Sequence, residues 1–167
     1  MSTTTREGQR LTAFHEAGHA VMAELCGQHI TKVEIEGDSE HSGSVQSLRF
    51  EPDPAEALSA EEQAASVEAR LKCVLAGTVA ENMVSGVDRW DESSEDLDLA
   101  VRLAMRLVDD CEDVLPLLED VREELRRELE ENWGAVEALA DELLARTSLD
   151  GAEVRKLLTP LLSTDFR

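Results

Sequence analysis

The stretch His15-Glu16-Ala17-Gly18-His19 decides how the rest of the chain is read, because here residue identity matters as well as residue class. Leu11, Phe14, Gly18, Val21, Met22 and Leu25 recur around it at helical spacing, so it belongs to an amphipathic helix. Four residues along a helix advance about 40° past one turn and rise about 6 Å, which sets two imidazoles side by side on one face. Neutral imidazole suits zinc, and a Glu beside the first His is placed to act as general base toward water that the metal activates. The spacing nominates His15 and His19 as metal ligands and Glu16 as the catalytic base. The competing reading is a helix whose two His and one Glu are merely solvated or satisfied in the core.

Length and charge bound the remaining choices. A chain of 167 residues fits a single domain over 1–167, large enough to bury a core without a disulfide staple. With 37 acidic against 16 basic residues the net charge is -21, which argues against binding nucleic acid through its phosphates and against an anionic membrane surface. Residues 1–10 are polar and no stretch approaches the roughly 18 apolar residues of a membrane span, so no membrane insertion and a cytoplasmic location are expected. Cys26, Cys73 and Cys111 are scattered, and read as reduced thiols, mostly in the core.

In chain order, the first helix is expected from about Thr5 or Gly8 to Cys26, with Gly27 as its stop. Lys32 to Glu36 alternates, Gly37 to Gly43 supplies turn residues and Ser44 to Phe50 alternates again, which predicts a hairpin or small antiparallel sheet after the first helix. His29 and His41 fall in the loops around it, and Pro52 and Pro54 mark a further loop. Ser59 with Glu62 forms a capping box for a second long helix reaching about Val84 before Gly86. Gly77 in its interior costs up to ~1 kcal/mol against Ala, a cost that close packing against the metal helix would offset. On the same helix Glu81 is a candidate to orient a ligand His, to ligate directly, or to be an ordinary exposed carboxylate.

A hydrolytic zinc needs a third protein ligand, and Asp91, Glu92, Glu95, Asp96 and Asp98 are candidates. Asp96 with Ser93 also fits a capping box for a helix from Glu95 to Val108. Beyond Val114 the spacing of Leu115, Leu117, Leu118, Val121, Leu125 and Leu129 predicts a charged bundle helix. Trp133 to Arg146 continues the stripe, with Gly134 as the interruption, and Asp150 with Glu153 caps a last helix to about Leu162.

The run Phe14-His15-Glu16-Ala17-Gly18-His19-Ala20-Val21 resembles the zinc-site helix of the FtsH-type ATP-dependent metalloproteases. Leu75-Ala76-Gly77-Thr78-Val79-Ala80-Glu81 resembles the same peptidase domain, as does Ser94-Glu95-Asp96-Leu97 with Ala100, Leu103 and Ala104. Ala138 to Leu144 and Thr147 to Val154 are similar to its end. The resemblance implies an α+β, mainly helical metalloprotease domain. It selects Asp96 as third ligand, so that Zn2+ is held by His15, His19 and Asp96. In zinc peptidases of this kind an edge strand after the metal helix holds extended substrate, which nominates Ser44, Val45, Gln46, Ser47 and Leu48; a purely structural hairpin is equally compatible. Two departures bear on the shape of the site: Glu92-Ser93 stand where a Gly commonly precedes the Asp, and Asn82 stands where a second acidic residue is frequent.

FtsH-type proteases join this domain to an ATPase and a membrane anchor, whereas the chain carries no G-x-x-x-x-G-K-[ST] phosphate loop. The expectation is a stand-alone zinc endopeptidase that hydrolyses unfolded or flexible polypeptides with no ATPase of its own. A homo-oligomer or a separate ATPase partner stays open. The alternative is a catalytically silent zinc-binding regulatory or adaptor module, against which Glu16 speaks, since such a module needs no base. A helical interaction protein with an accidental motif would bind no stoichiometric metal.

Overall fold

The computed structural model describes residues 3–35, 59–88 and 94–163. Helix α1 (Thr3–Leu25) carries the pentapeptide in its second half and ends where Gly27 adopts the left-handed conformation, φ +66°. A turn leads to strand β1 (Lys32–Glu34). Helix α2 (Ala60–Ser85) opens on the predicted capping box, Ser59 accepting from the Glu62 amide while the Glu62 side chain accepts from the Ser59 amide. It stops at Gly86, also left-handed. Helix α3 (Glu95–Ala104), a 3-10 turn (Cys111–Asp113), helices α4 (Val114–Glu131) and α5 (Trp133–Arg146), strand β2 (Ser148–Asp150) and helix α6 (Gly151–Leu158) complete the order. The α+β, mainly helical class expected from the sequence is what the described residues form. No helix among them is long and apolar enough to cross a membrane.

Helix α1 is the centre of the packing, lying most extensively against α2 and next against α5. Small residues let the first contact be close. A Cβ on Gly18 would stand 2.5 Å from the Ala76 carbonyl oxygen and 2.7 Å from the Ala80 Cβ. On its other side Phe14 stacks on Trp133 of α5, ring centroids 5.7 Å apart. Val121, Leu125 and Leu129 of α4 and Val136, Leu139, Ala140 and Leu143 of α5 are buried in the same core.

Several boundaries differ from those read in the sequence, each for a local reason. Strand β1 pairs antiparallel with β2, Val33 opposite Leu149, so the small sheet joins the segment after α1 to the end of the chain. Alternation names the buried face of a strand but not its partner. The expected second hairpin strand, with Ser44 to Leu48, and His41 lie outside the described residues. Helix α3 ends at Ala104 instead of Val108, and α6 at Leu158 instead of Leu162. The break between α4 and α5 falls at Asn132, not Gly134: buried Asn132 donates from Nδ2 to the Glu128 carbonyl and accepts the Ser163 amide on Oδ1. Leu115 is 70% exposed, because the buried stripe of α4 runs through Val114, Leu118, Val121, Leu125 and Leu129 and leaves it one residue out of phase.

Candidate metal centre

The imidazoles of His15 and His19 face α2 at Gly77, where a side chain has no room. A Cβ there would overlap His19 Nε2 and stand 2.6 Å from His19 Cε1 and 2.8 Å from His15 Nε2. Glycine at this point of α2 is what allows two rings to lie between the helices. The rings meet edge to face, with centroids 4.6 Å apart and planes at 84°.

Each ring is fixed through its Nδ1, which aims its Nε2. His19 Nδ1 donates to the Cys73 carbonyl of α2 at 2.7 Å, which assigns the proton to Nδ1 and leaves Nε2 with its lone pair. His15 Nδ1 lies 3.3 Å from Glu81 Oε2, also on α2. The third element is α3, whose N-cap is Ser94, accepting from the Leu97 amide at 3.3 Å. The cap therefore sits on Ser94, with its partner at Leu97, and not on the Ser93 and Asp96 pair expected from the sequence. Asp96, in the first turn of α3, instead turns its carboxylate to the histidines.

The result is a triangle of ligand-type atoms. Asp96 Oδ2 is 3.0 Å from His15 Nε2 and 3.3 Å from His19 Nε2, and the two Nε2 atoms are 3.0 Å apart. Ligands about 2.0–2.1 Å from a tetrahedral zinc stand roughly 3.3 Å from one another, so the triangle has the dimensions of one face of such a site. Two imidazoles with one carboxylate also form the donor set zinc accepts, and these three residues are the group among the described residues able to hold a metal ion. Glu16 lies fully buried beside them, with Oε1 4.0 Å from His15 Nε2.

Electrostatics favour a cation here. Burial alone would lower the pKa of His15, but hydrogen bonds to Asp96 and Glu81 and the charges of Glu16 and Asp96 outweigh it and raise the value from 6.5 to about 10. Burial would likewise raise Asp96, yet its contacts with His15 and His19 hold it well below the usual carboxylate range. Three carboxylates around two imidazoles thus hold positive charge tightly, whether proton or metal.

His15, His19, Glu16, Glu81 and Asp96 are brought into one cluster from three helices. Of the other acidic candidates, Glu95 and Asp98 are exposed, while Asp91 and Glu92 lie outside the described residues. His29 is exposed near Arg155, away from this cluster. Asn82 donates to Asp88 at 3.3 Å. Sequence reasoning missed the Cys73 carbonyl, since a backbone acceptor leaves no side-chain signal.

What this geometry and fold define is a class: helical domains able to seat a metal between a helix-borne histidine pair and a carboxylate from a separate helix. The sequence profile of peptidase family M41 matches residues 2–111, and the chain belongs to that family, as an FtsH-type peptidase domain. It is similar to "ATP-dependent zinc metalloprotease FTSH 11, chloroplastic/mitochondrial" of Arabidopsis thaliana, 27% identical over 93% of the chain. It is similar also to "ATP-dependent zinc metalloprotease FTSH 9, chloroplastic/mitochondrial" of Oryza sativa subsp. japonica, 29% identical over 90% of the chain. The chain spans 22% of the length of each of these relatives.

Proposed function

We propose that residues 1–167 form a single zinc endopeptidase domain in which His15, His19 and Asp96 hold the metal and Glu16 is the catalytic base. The observation that carries this reading is the triangle of two Nε2 atoms and one Oδ2, with sides of 3.0, 3.0 and 3.3 Å, next to a buried glutamate. Zinc, when bound, supplies a Lewis acid that acidifies water and polarises a peptide carbonyl. The protein residues do the rest. Glu16 takes the proton lost by the attacking water and delivers it to the amine nitrogen as the C–N bond breaks. Its burial confines that proton to the site. Glu81 and the Cys73 carbonyl keep the two imidazoles oriented, so ligand geometry is set before a cation arrives.

Substrates on this reading are unfolded or flexible polypeptides, held as an extended strand along Ser44 to Leu48, and hydrolysis needs no ATP. The names of both relatives include ATP dependence, so delivery of folded substrates by a separate ATPase is compatible with the same chemistry. The test is cleavage of casein without ATP by zinc-loaded wild type and Glu16→Gln. The variant should keep one zinc per chain and lose about 10²- to 10⁴-fold in rate. If both proteins hold one zinc and neither cuts, the silent binding module replaces the enzyme. Zinc well below one per chain removes the metal centre itself.

A further inference from the structure

Cys26 and Cys73, which the metal chemistry does not use, are brought together across the contact of α1 and α2. Cys26 follows the last residue of α1 and is partly exposed, whereas Cys73 is fully buried within α2. Their thiols are in hydrogen-bond contact, Cys73 donating to the Cys26 sulfur. That bond shifts Cys26 toward the thiolate. Burial opposes the shift, and the Lys72 ammonium supports it against the charges of Glu128 and Glu68. The same bond and burial push the Cys73 thiol up. The pair thus comprises a reachable sulfur that attacks and a sheltered one that follows. Cys73 also supplies the carbonyl that holds His19 Nδ1 at 2.7 Å.

We propose that Cys26 and Cys73 are a peroxide-sensitive dithiol whose closure to a disulfide weakens the metal centre through the Cys73 carbonyl. The Cys26 thiolate attacks one oxygen of a hydroperoxide, forming an S–O bond as the O–O bond breaks and hydroxide or alkoxide leaves. The Cys73 sulfur then attacks the resulting sulfenic acid, forming the S–S bond and expelling the S–OH oxygen as water. In sum two thiols and hydrogen peroxide give a disulfide and two waters. Disulfide sulfurs sit about 2.05 Å apart, nearer than hydrogen-bonded thiols, so closure draws Cys73 toward the end of α1. In α2 that movement carries the carbonyl to which His19 is bound.

Disulfide formation stands apart from the proposed peptidase activity; only its effect on the metal rests on reading His19 as a ligand. The full chain carrying Cys111→Ser, which removes the exposed thiol, should be stripped of metal, treated with hydrogen peroxide and mapped by peptide mass spectrometry. A Cys26–Cys73 cross-linked peptide is expected, reversed by a phosphine reductant. In Cys73→Ser the sulfenic acid should persist on Cys26 and be trapped by dimedone; in Cys26→Ser, Cys73 should stay reduced. Absence of the cross-link at peroxide levels that fully oxidise Cys111 in wild type overturns the dithiol. The second readout is cobalt(II) binding followed by its visible absorption. Oxidised protein should bind at least tenfold more weakly than reduced protein and recover on reduction. Unchanged binding by the cross-linked protein overturns the coupling to the metal centre. If the reduced protein binds no cobalt while the cross-link forms, the metal-centre reading fails and the dithiol stands.

Discussion

Helix α1 meets the rest of the protein along two seams built on opposite principles. Toward α2 the seam is made of small residues, with Gly18 against Ala76 and Ala80, and Gly77 under the two imidazoles. It encloses His19 and Glu16, buried polar groups that a stability-driven interior would avoid. Toward α5 the seam is large and apolar, typified by Phe14 stacked on Trp133, and the end of the chain is tied back by β1 and β2. The first seam holds the chemistry and spends stability on it, while the second supplies packing that lets α1 stay rigid. Their coverage by the family differs in the same sense, for the M41 match ends at residue 111, before α4, α5 and α6.

The comparison breaks most sharply at the two glycines that face backbone or ring atoms. Gly77→Ala places a methyl where His19 Nε2 now lies, with only the imidazoles able to yield. We expect zinc affinity to fall by more than about 100-fold, beyond the usual loss from an outer-shell change, with helical content retained. Gly134→Ala is the control, because nothing stands within 4 Å of a Cβ there and the change should leave zinc binding untouched. Equal zinc affinity of Gly77→Ala and wild type, by competition with a chromophoric chelator, would mean that the rings have another place to go. On the other seam Gly151→Ala drives a methyl into the Ile30 carbonyl, beside the Gly151 amide bond to the Thr31 carbonyl at 2.9 Å. It should cost about 1–3 kcal/mol in urea unfolding of the metal-free protein. Metal stoichiometry in the surviving folded fraction should stay at one.

Between these effects in size is the pH dependence of the polar seam. In the metal-free protein His15 titrates at about 10 against an unfolded value of 6.5, so the native state holds a proton that the unfolded chain releases. Its contribution to stability is fully present below pH 6.5 and is lost as pH rises through about 10. Metal and proton compete for the same ring, so apparent zinc or cobalt affinity should climb about tenfold per pH unit from 7 to 9. Calorimetry in buffers of different ionisation enthalpy should show one proton released per metal. A flat affinity across that range would remove His15 either as a protonated group or as a ligand.

The two seams also differ in how much of them the sequence declares. His15, Glu16 and His19 are readable because a shared cation requires those residue types at helical spacing, and Gly77 because a glycine inside a long helix needs a neighbour to justify it. The capping box of Ser59 and Glu62 fixes the start of α2 through two reciprocal hydrogen bonds. At α3 two adjacent serines, Ser93 and Ser94, satisfy the same capping chemistry, so the pattern cannot choose between them; the choice of Ser94 leaves Asp96 to the histidines. The apolar seam is vaguer still. Alternation in Lys32 to Glu34 tells that Val33 is buried but not that Leu149 covers it, and the break at Asn132 depends on its reach to Ser163 from the far end of the chain. Packing partners distant in sequence leave no local mark.

The smallest expected effect tests whether the apolar seam is itself free of strain. Thr147, between α5 and β2, has φ 63° and ψ -21°, a left-handed conformation that a β-branched residue adopts only at a cost. It is held there from both sides: its amide donates to the Leu143 carbonyl at 2.7 Å, and its carbonyl accepts the Ile35 amide at 2.8 Å. Neither bond involves the side chain, so glycine should keep both while removing the clash of Cβ. Relief of about 1–3 kcal/mol of local strain exceeds the roughly 0.5–1 kcal/mol that glycine adds to unfolded-chain entropy. Thr147→Gly should therefore raise the melting temperature by a few degrees at unchanged metal affinity, and Thr147→Val, which keeps the branch and loses the hydroxyl bond to the Arg146 carbonyl, should not. A lower melting temperature for the glycine variant would mean that the hydroxyl contributes more than the backbone loses. The corner where the chain returns to β1 would then be held by that side chain instead of by its backbone bonds.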